Sequence, residues 1–180
     1  MLTGTAREWS DRRRTEKVCQ ARLTDLDLPH RLVWTDVVNR IVAKRGRPLW
    51  VAPTDRLPLE VTGLWVGCHE RDYVYYRADL AGSQRGMSVG HEFCHILCDH
   101  RSADVTGQQF LRRYFPELAD SGTVEHTCFR SDFASPDERE AETMASLLLT
   151  RFTPNRAVTP APTDLRSLSD RARVDSIWRS

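Results

Sequence analysis

Apolar residues recur with the period of an α-helix in several segments of this 180-residue chain. In residues 34–45 they stand at positions i, i+3, i+4, i+7 and i+8, which places them on one face of a helix that ends at Gly46. The members of this stripe are Trp34, Val37, Val38, Ile41 and Val42. Similar patterns predict further helices over residues 8–24, 84–100 and 108–114, and one that begins at Pro136.

Two short segments are instead rich in Val, Tyr and Trp, which favour strands. They are residues 63–68 and 72–77, and the polar residues between them predict a hairpin connection. A third short strand is predicted around Trp50 and ends at Pro53. An exposed edge of such a sheet can take an extended peptide as an added strand.

These elements predict an α+β domain that is mostly helical, with a small β-sheet packed beside the helix of residues 84–100. We expect residues 1–59 to be an N-terminal helical part of the same domain and residues 60–153 to be its core. Residues 154–180 have many prolines and few apolar residues, which indicates a linker and a tail. Within the tail, a short helix is predicted near residues 164–178.

One stretch in the helix of residues 84–100 points to a specific chemistry. It reads His91-Glu92-Phe93-Cys94-His95, an H-E-x-x-H sequence that places two imidazoles one turn apart on the same helix face. That spacing suits two ligands of a tetrahedral zinc ion, and Glu92 is placed to take a proton from a water molecule. The alternative is an amphipathic helix whose histidines are solvated or hydrogen-bonded without a metal.

A catalytic zinc site also needs a third protein ligand and a position left open for water. His100 is one candidate, but the extended motif H-E-x-x-H-x-x-G-x-x-H would place Gly at position 98 and His at position 101. The chain has Cys98 and Arg101 there instead. We therefore interpret His100 as a residue at the helix C-terminus, where an imidazolium interacts favourably with the helix dipole.

An acidic segment downstream offers the second candidate. Ser135 and Pro136 suit the N-cap and the first position of a helix, and Glu138 then stands where a capping box has its acid. Glu138 and Glu142 are one turn apart on the face expected to pack, whereas Glu140 is expected to point elsewhere. Because an acid on a packing face is unusual unless it is paired or bound to metal, Glu138 or Glu142 is a candidate ligand. A purely capping role for the first acids of the helix is the alternative.

Two segments together resemble the ImmA/IrrE family of zinc metallopeptidases. They are RGMSVGHEFCHILCDH and, further along the chain, EREAETMASLLL. The resemblance covers about residues 60–153 and implies a zincin-like metallopeptidase fold with three zinc ligands and one general base. The implied ligands are His91, His95 and Glu138, and the implied base is Glu92.

The chain departs from the family pattern at two places. Glu142 stands where relatives usually carry Asn or Asp, so its contact with a histidine ligand is expected to differ. Arg151 stands near the place of the proline that typically ends the later helix, and Pro154 comes later. Glu142 therefore stays as the alternative to Glu138 for the third ligand.

The resemblance implies a zinc-dependent metallo-endopeptidase that hydrolyses a peptide bond in a protein partner. Zn²⁺ would activate a water molecule, while Glu92 takes its proton and later delivers it to the leaving amine. Candidates for stabilising the oxyanion are His100, Tyr114 and His126. Relatives often act on a DNA-binding repressor encoded nearby, so a repressor is the expected partner.

Two other classes of function stay open. A zinc-containing or degenerate peptidase fold can bind a partner, or act in a toxin system, without cutting a peptide bond. The intact Glu92 argues against a degenerate site, because binding alone does not require it. A domain without metal is the third possibility. Stoichiometric metal would exclude this third class, and a cleavage product sensitive to chelators would separate the first class from the second.

The composition fits a small cytoplasmic protein. With 26 basic and 25 acidic residues the net charge is +1, which gives no bulk attraction to nucleic acid or to anionic lipid, and no helix-turn-helix is evident. No apolar run approaches the ~20 residues of a membrane span, and residues 1–9 lack the apolar core of a signal peptide. The five cysteines form no C-x-x-C pair, so free buried thiols are expected.

Overall fold

The computed structural model describes residues 6–100, 105–121, 123–128, 135–152 and 163–165. These residues contain six helices and five strands, so the predicted α+β class is confirmed. The helices are α1 (Ala6–Asp25), α2 (Trp34–Arg45), α3 (Gly82–Cys98), α4 (Val105–Tyr114), α5 (Pro116–Ala119) and α6 (Pro136–Leu149). The strands are β1 (Leu49–Thr54), β2 (Gly63–Cys68), β3 (Asp72–Arg77), β4 (Val124–Cys128) and β5 (Thr163–Leu165).

The five strands form one mixed sheet in the order β4-β2-β3-β1-β5. The predicted hairpin is confirmed, since β2 and β3 are antiparallel with Trp65 opposite Val74. β1 runs parallel to β3, whereas β4 and β5 pair antiparallel with β2 and β1. Neither β4 nor β5 was predicted from the sequence. Residues 163–165 form a strand where a tail with a short helix was expected, and the rest of that expected helix lies outside the described residues.

Local chemistry explains where the helices begin and end. Gly46 adopts a φ of 67° and its N–H donates to the carbonyl of Val42, so α2 ends where the sequence predicted. The hydroxyl of Ser135 accepts a hydrogen bond of 3.1 Å from the N–H of Glu138, which confirms Ser135 as the N-cap of α6. α3 ends earlier than predicted because Asp99 is left-handed, with a φ of 61°. His100 therefore lies just beyond the helix.

α3 is the central helix of the protein. It packs against β2, β3, α2 and α6, and α1 packs against α6. One large cluster of buried side chains joins these elements, with Trp65, Phe93 and Met144 among its bulkiest members. Although α3 is mostly buried, none of the helices in the described residues has the length and apolar character needed to cross a lipid bilayer. The packing brings the H-E-x-x-H stretch of α3 next to the first turn of α6.

Candidate metal centre

α3 carries the three polar side chains of its H-E-x-x-H stretch into the protein interior. The relative exposures of His91, Glu92 and His95 are only 3%, 4% and 2%. The two histidines are one helical turn apart, so their rings share a face and their Nε2 atoms lie 2.9 Å from each other. This burial excludes a solvated helix face, and buried imidazoles need polar partners.

The first turn of α6 brings Glu138 to the histidine pair. Its Oε2 lies 3.2 Å from Nε2 of His91, and its Oε1 lies 3.2 Å from Nε2 of His95. The N–H of Glu138 donates to the N-cap Ser135, so the helix start is fixed through the backbone while the carboxylate reaches α3. The structure thus brings together the two histidines and the acid that the family resemblance named as ligands.

These three groups suit a metal ion in kind and in spacing. Two imidazoles and one carboxylate form the protein ligand set of several catalytic zinc sites, with one position left open. In a tetrahedral site with metal–ligand bonds of about 2.0–2.2 Å, neighbouring ligand atoms are about 3.3 Å apart. The observed separations of 2.9, 3.2 and 3.2 Å among His91, His95 and Glu138 are close to that value. These residues could therefore hold a metal ion.

The charge state of Glu138 also suits a ligand. Burial by itself would raise the pKa of this carboxyl, but hydrogen bonds from His91 and His95, together with the charges of their rings, outweigh burial. The pKa of Glu138 consequently lies well below its usual range. The group is a carboxylate at neutral pH, which is the form that binds metals.

No family model, curated protein or solved structure matches this chain. A functional interpretation therefore depends on the side chains of the centre and on their surroundings.

The carboxylate of Glu92 lies against Gly63, the first residue of β2. A Cβ atom at Gly63 would be 2.7 Å from Oε1 of Glu92 and 2.8 Å from Oγ of Ser88, closer than real Cβ atoms approach other atoms. Only a glycine therefore leaves room for these two side chains as they are placed. Gly63 and Ser88 were not predicted from the sequence, because their contact joins segments that are distant in the chain and no local pattern marks it.

The helical pattern of α6 predicted that Glu140 points away from the packing face. The structure instead places the Glu140 carboxylate beside His100 and Arg22. Its Oε2 lies 3.2 Å from Nε2 of His100, and its Oε1 lies 2.8 Å from Nε of Arg22 in α1. The prediction was wrong because Asp99 turns the chain back at the end of α3, so that the N–H of His100 donates to the carbonyl of His95. His100 thus lies beside His95, where burial and the His95 ring lower its pKa although Glu140 opposes the change.

Cys98, His100 and Glu140 form a second group whose possible ligand atoms lie within 4.8 Å of one another. These atoms have other partners, since Glu140 pairs with Arg22 and Sγ of Cys98 lies 3.2 Å from Sδ of Met144. Burial, reinforced by the Glu140 carboxylate, raises the pKa of Cys98 to about 12 and so disfavours the thiolate that binds metals. This group is better suited to hydrogen bonding than to metal binding.

The other residues that the sequence suggested for the centre, one as a metal ligand and two for stabilising the oxyanion, have different surroundings from the His91, His95 and Glu138 group. Glu142, the alternative third ligand, was expected on the packing face of α6, but its side chain is exposed, so that prediction was wrong. Glu138 is the acid that meets the histidine pair. The two other oxyanion candidates make aromatic contacts. The ring of Tyr114 packs on Phe110 at 4.5 Å, and the ring of His126 lies 6.0 Å from that of Trp65.

Proposed function

We propose that this protein is a zinc-dependent metallo-endopeptidase of the ImmA/IrrE type. The observation that carries the proposal is the convergence of His91, His95 and Glu138 to within 2.9–3.2 Å, with the buried Glu92 on the same helix. A metal-free structural role explains the buried histidines less well, since it gives no reason for a glutamate that is buried beside them. We propose in the same way that the fold is zincin-like.

The centre divides the chemistry between the metal and the protein. Zn²⁺ bound by His91, His95 and Glu138 would supply a Lewis acid that lowers the pKa of a water molecule and polarises a carbonyl. Glu92 is the general base that accepts the proton and passes it to the leaving amine. The close contact with Gly63 restricts where the Glu92 carboxylate can lie, which favours a fixed position for proton transfer.

The proposed substrate is a protein, and the family resemblance makes a DNA-binding repressor the first one to test. The near balance of 26 basic and 25 acidic residues supports recognition of a protein rather than of nucleic acid by this chain itself.

Metal content tests the centre. The wild-type protein is expected to bind about one zinc ion per chain, and Glu138→Gln is expected to lose it because a neutral amide is a poor ligand for Zn²⁺. Glu142→Gln is the matched control, since it makes the same change one turn along α6 at an exposed position and should leave the metal in place. A wild-type protein that stays free of metal after zinc is supplied would contradict the proposal. Zinc retained in Glu138→Gln would move the third ligand to another residue.

Cleavage tests the activity. The zinc-loaded protein is incubated with a repressor encoded by a neighbouring gene, and the products are identified by mass spectrometry. A defined cut that disappears with a chelator and with Glu92→Gln is expected, while Glu92→Gln still binds zinc because residue 92 is outside the ligand set. Full activity in Glu92→Gln would refute its role as the base. A stable complex without any cut would instead support a partner-binding component.

A further inference from the structure

A chain of polar contacts runs from the back of His95 to helix α1. Nδ1 of His95 lies 3.1 Å from Nδ1 of His100, whose Nε2 lies 3.2 Å from Oε2 of Glu140. Oε1 of Glu140 lies 2.8 Å from Nε of Arg22. His95 and His100 are buried, and the Glu140 side chain is 16% exposed, so water competes little for the contacts among these three residues. The Arg22 side chain is 44% exposed and contributes an ion pair to Glu140.

With a metal ion on Nε2 of His95, the donors and acceptors in this chain would have a single consistent order. Arg22 can only donate, and the Glu140 carboxylate can only accept, so His100 must carry a proton on Nε2 to donate to Glu140. A neutral His100 then presents a lone pair at Nδ1, which can accept only from a proton on Nδ1 of His95. That tautomer of His95 would present its Nε2 lone pair to the ion, in place of the proton that Nε2 donates to Glu138.

We propose that His100, Glu140 and Arg22 act as a positioning relay that fixes the tautomer and the ring orientation of His95 for metal binding. The inference rests on the proposed metal centre and assigns to it three residues that do not bind the ion. Histidine ligands usually donate their second ring N–H to a fixed acceptor, and such partners strengthen the metal site. The acceptor here would be the imidazole of His100. Glu140 contacts this ring and forms an ion pair with Arg22 of α1.

Two substitutions at residue 100 separate the relay from a role in packing alone. The relay needs a hydrogen-bond acceptor near Nδ1, whereas packing needs only the volume of the ring. His100→Asn keeps an acceptor near the position of Nδ1 but fills less space, whereas His100→Phe fills the space and offers no acceptor. If the relay operates, Asn is the better replacement. If residue 100 only packs, Phe is the better replacement.

Zinc affinity, measured by competition with a chromophoric chelator, is the first readout. Loss of an outer partner of a metal ligand typically weakens binding by about 10–100-fold, so His100→Phe and Glu140→Gln are expected to fall in that range. His100→Asn is expected to retain more affinity than His100→Phe. Asp137→Asn is the matched control for charge, because its Oδ1 lies 3.9 Å from Nε2 of His100, beyond hydrogen-bonding distance.

The second readout is the Nδ1–H proton of His95, observed by NMR in the zinc-loaded protein labelled with ¹⁵N-histidine. We expect a slowly exchanging resonance that moves in Glu140→Gln and broadens in His100→Phe. Unchanged affinity and an unchanged resonance in both variants, with zinc bound to the wild type, would overturn the relay and leave the metal centre standing. Higher affinity in His100→Phe than in His100→Asn would also overturn it. A wild-type protein that binds no zinc would overturn both the centre and the relay.

Discussion

Asp72 at the start of β3 accepts five side-chain hydrogen bonds, and Asp72→Asn tests what they contribute. The carboxylate is fully buried and accepts hydrogen bonds from Nε and Nη2 of Arg45, from Nε and Nη2 of Arg47, and from Nε1 of Trp65. The bonds tie the end of α2 to β2 and β3. The substitution keeps the volume of the side chain, so no cavity forms and the effect is electrostatic.

The expected loss in the free energy of unfolding is about 3–5 kcal/mol, the range for breaking one partner of a buried ion pair. In the variant an amide group that donates would face guanidinium groups that also donate, and the side chains of Arg45 and Arg47 are only 9% and 11% exposed. Burial raises the pKa of Asp72, and the interactions with Trp65 and Arg47 lower it only in part, so the intact pair offsets only part of the desolvation penalty. The loss therefore arises mainly from the guanidinium groups left without their counterion.

Urea denaturation in the presence of a chelator measures this loss without a contribution from bound metal. With a slope of about 2 kcal/mol per molar urea, a loss of 4 kcal/mol moves the midpoint by about 2 M. Asp79→Asn is the matched control, because Asp79 pairs with Arg77 at 2.6 Å but its side chain is 62% exposed, and such pairs contribute less than about 1 kcal/mol. Equal small shifts in the two variants would refute the reasoning.

Two further predictions concern Gly63 and the buried thiols. Gly63→Ala places a Cβ 2.7 Å from Oε1 of Glu92, so turnover of an identified substrate should fall about tenfold or more with zinc retained, whereas Gly86→Ala, whose Cβ would meet Trp34 at 3.7 Å, should change little. Loss of zinc in Gly63→Ala would contradict this. Burial, with help from Glu140, raises the pKa of Cys19 from 9.0 to about 11, which leaves about a hundredfold less thiolate at pH 8. Iodoacetamide should therefore modify Cys19 slowly in the native protein and quickly in denaturant, and equal rates by mass spectrometry would refute the shift.

The parts of the structure that the sequence predicted are those set by neighbours in the chain. The spacing of His91 and His95 fixes their shared helix face, and the order of Ser135 and Pro136 fixes the start of α6. Gly46 ends α2 for an equally local reason, its left-handed backbone. The hairpin of β2 and β3 was predictable because its connection is short.

The features that were missed depend on contacts between distant segments. β5 and β4 owe their pairing to strands far away in the sequence, and neither segment carries a clear alternating pattern. The direction of Glu140 could not be derived from α6 alone, because its partners are Arg22 in α1 and His100 beyond α3. The role of Gly63 is visible only once Glu92 lies against β2.

The division of the centre between α3 and α6 has a consequence for how the chain folds. α3 and the hairpin can form while the protein is being synthesised, but Glu138 reaches His91 and His95 only after α6 has left the ribosome. α6 must also join α1, the first helix, so the last described helix closes two long loops of chain at once. Contacts of such large sequence separation form slowly because loop closure precedes any gain from packing. A nascent chain that stops before α6 therefore holds the histidines without the acid that completes them.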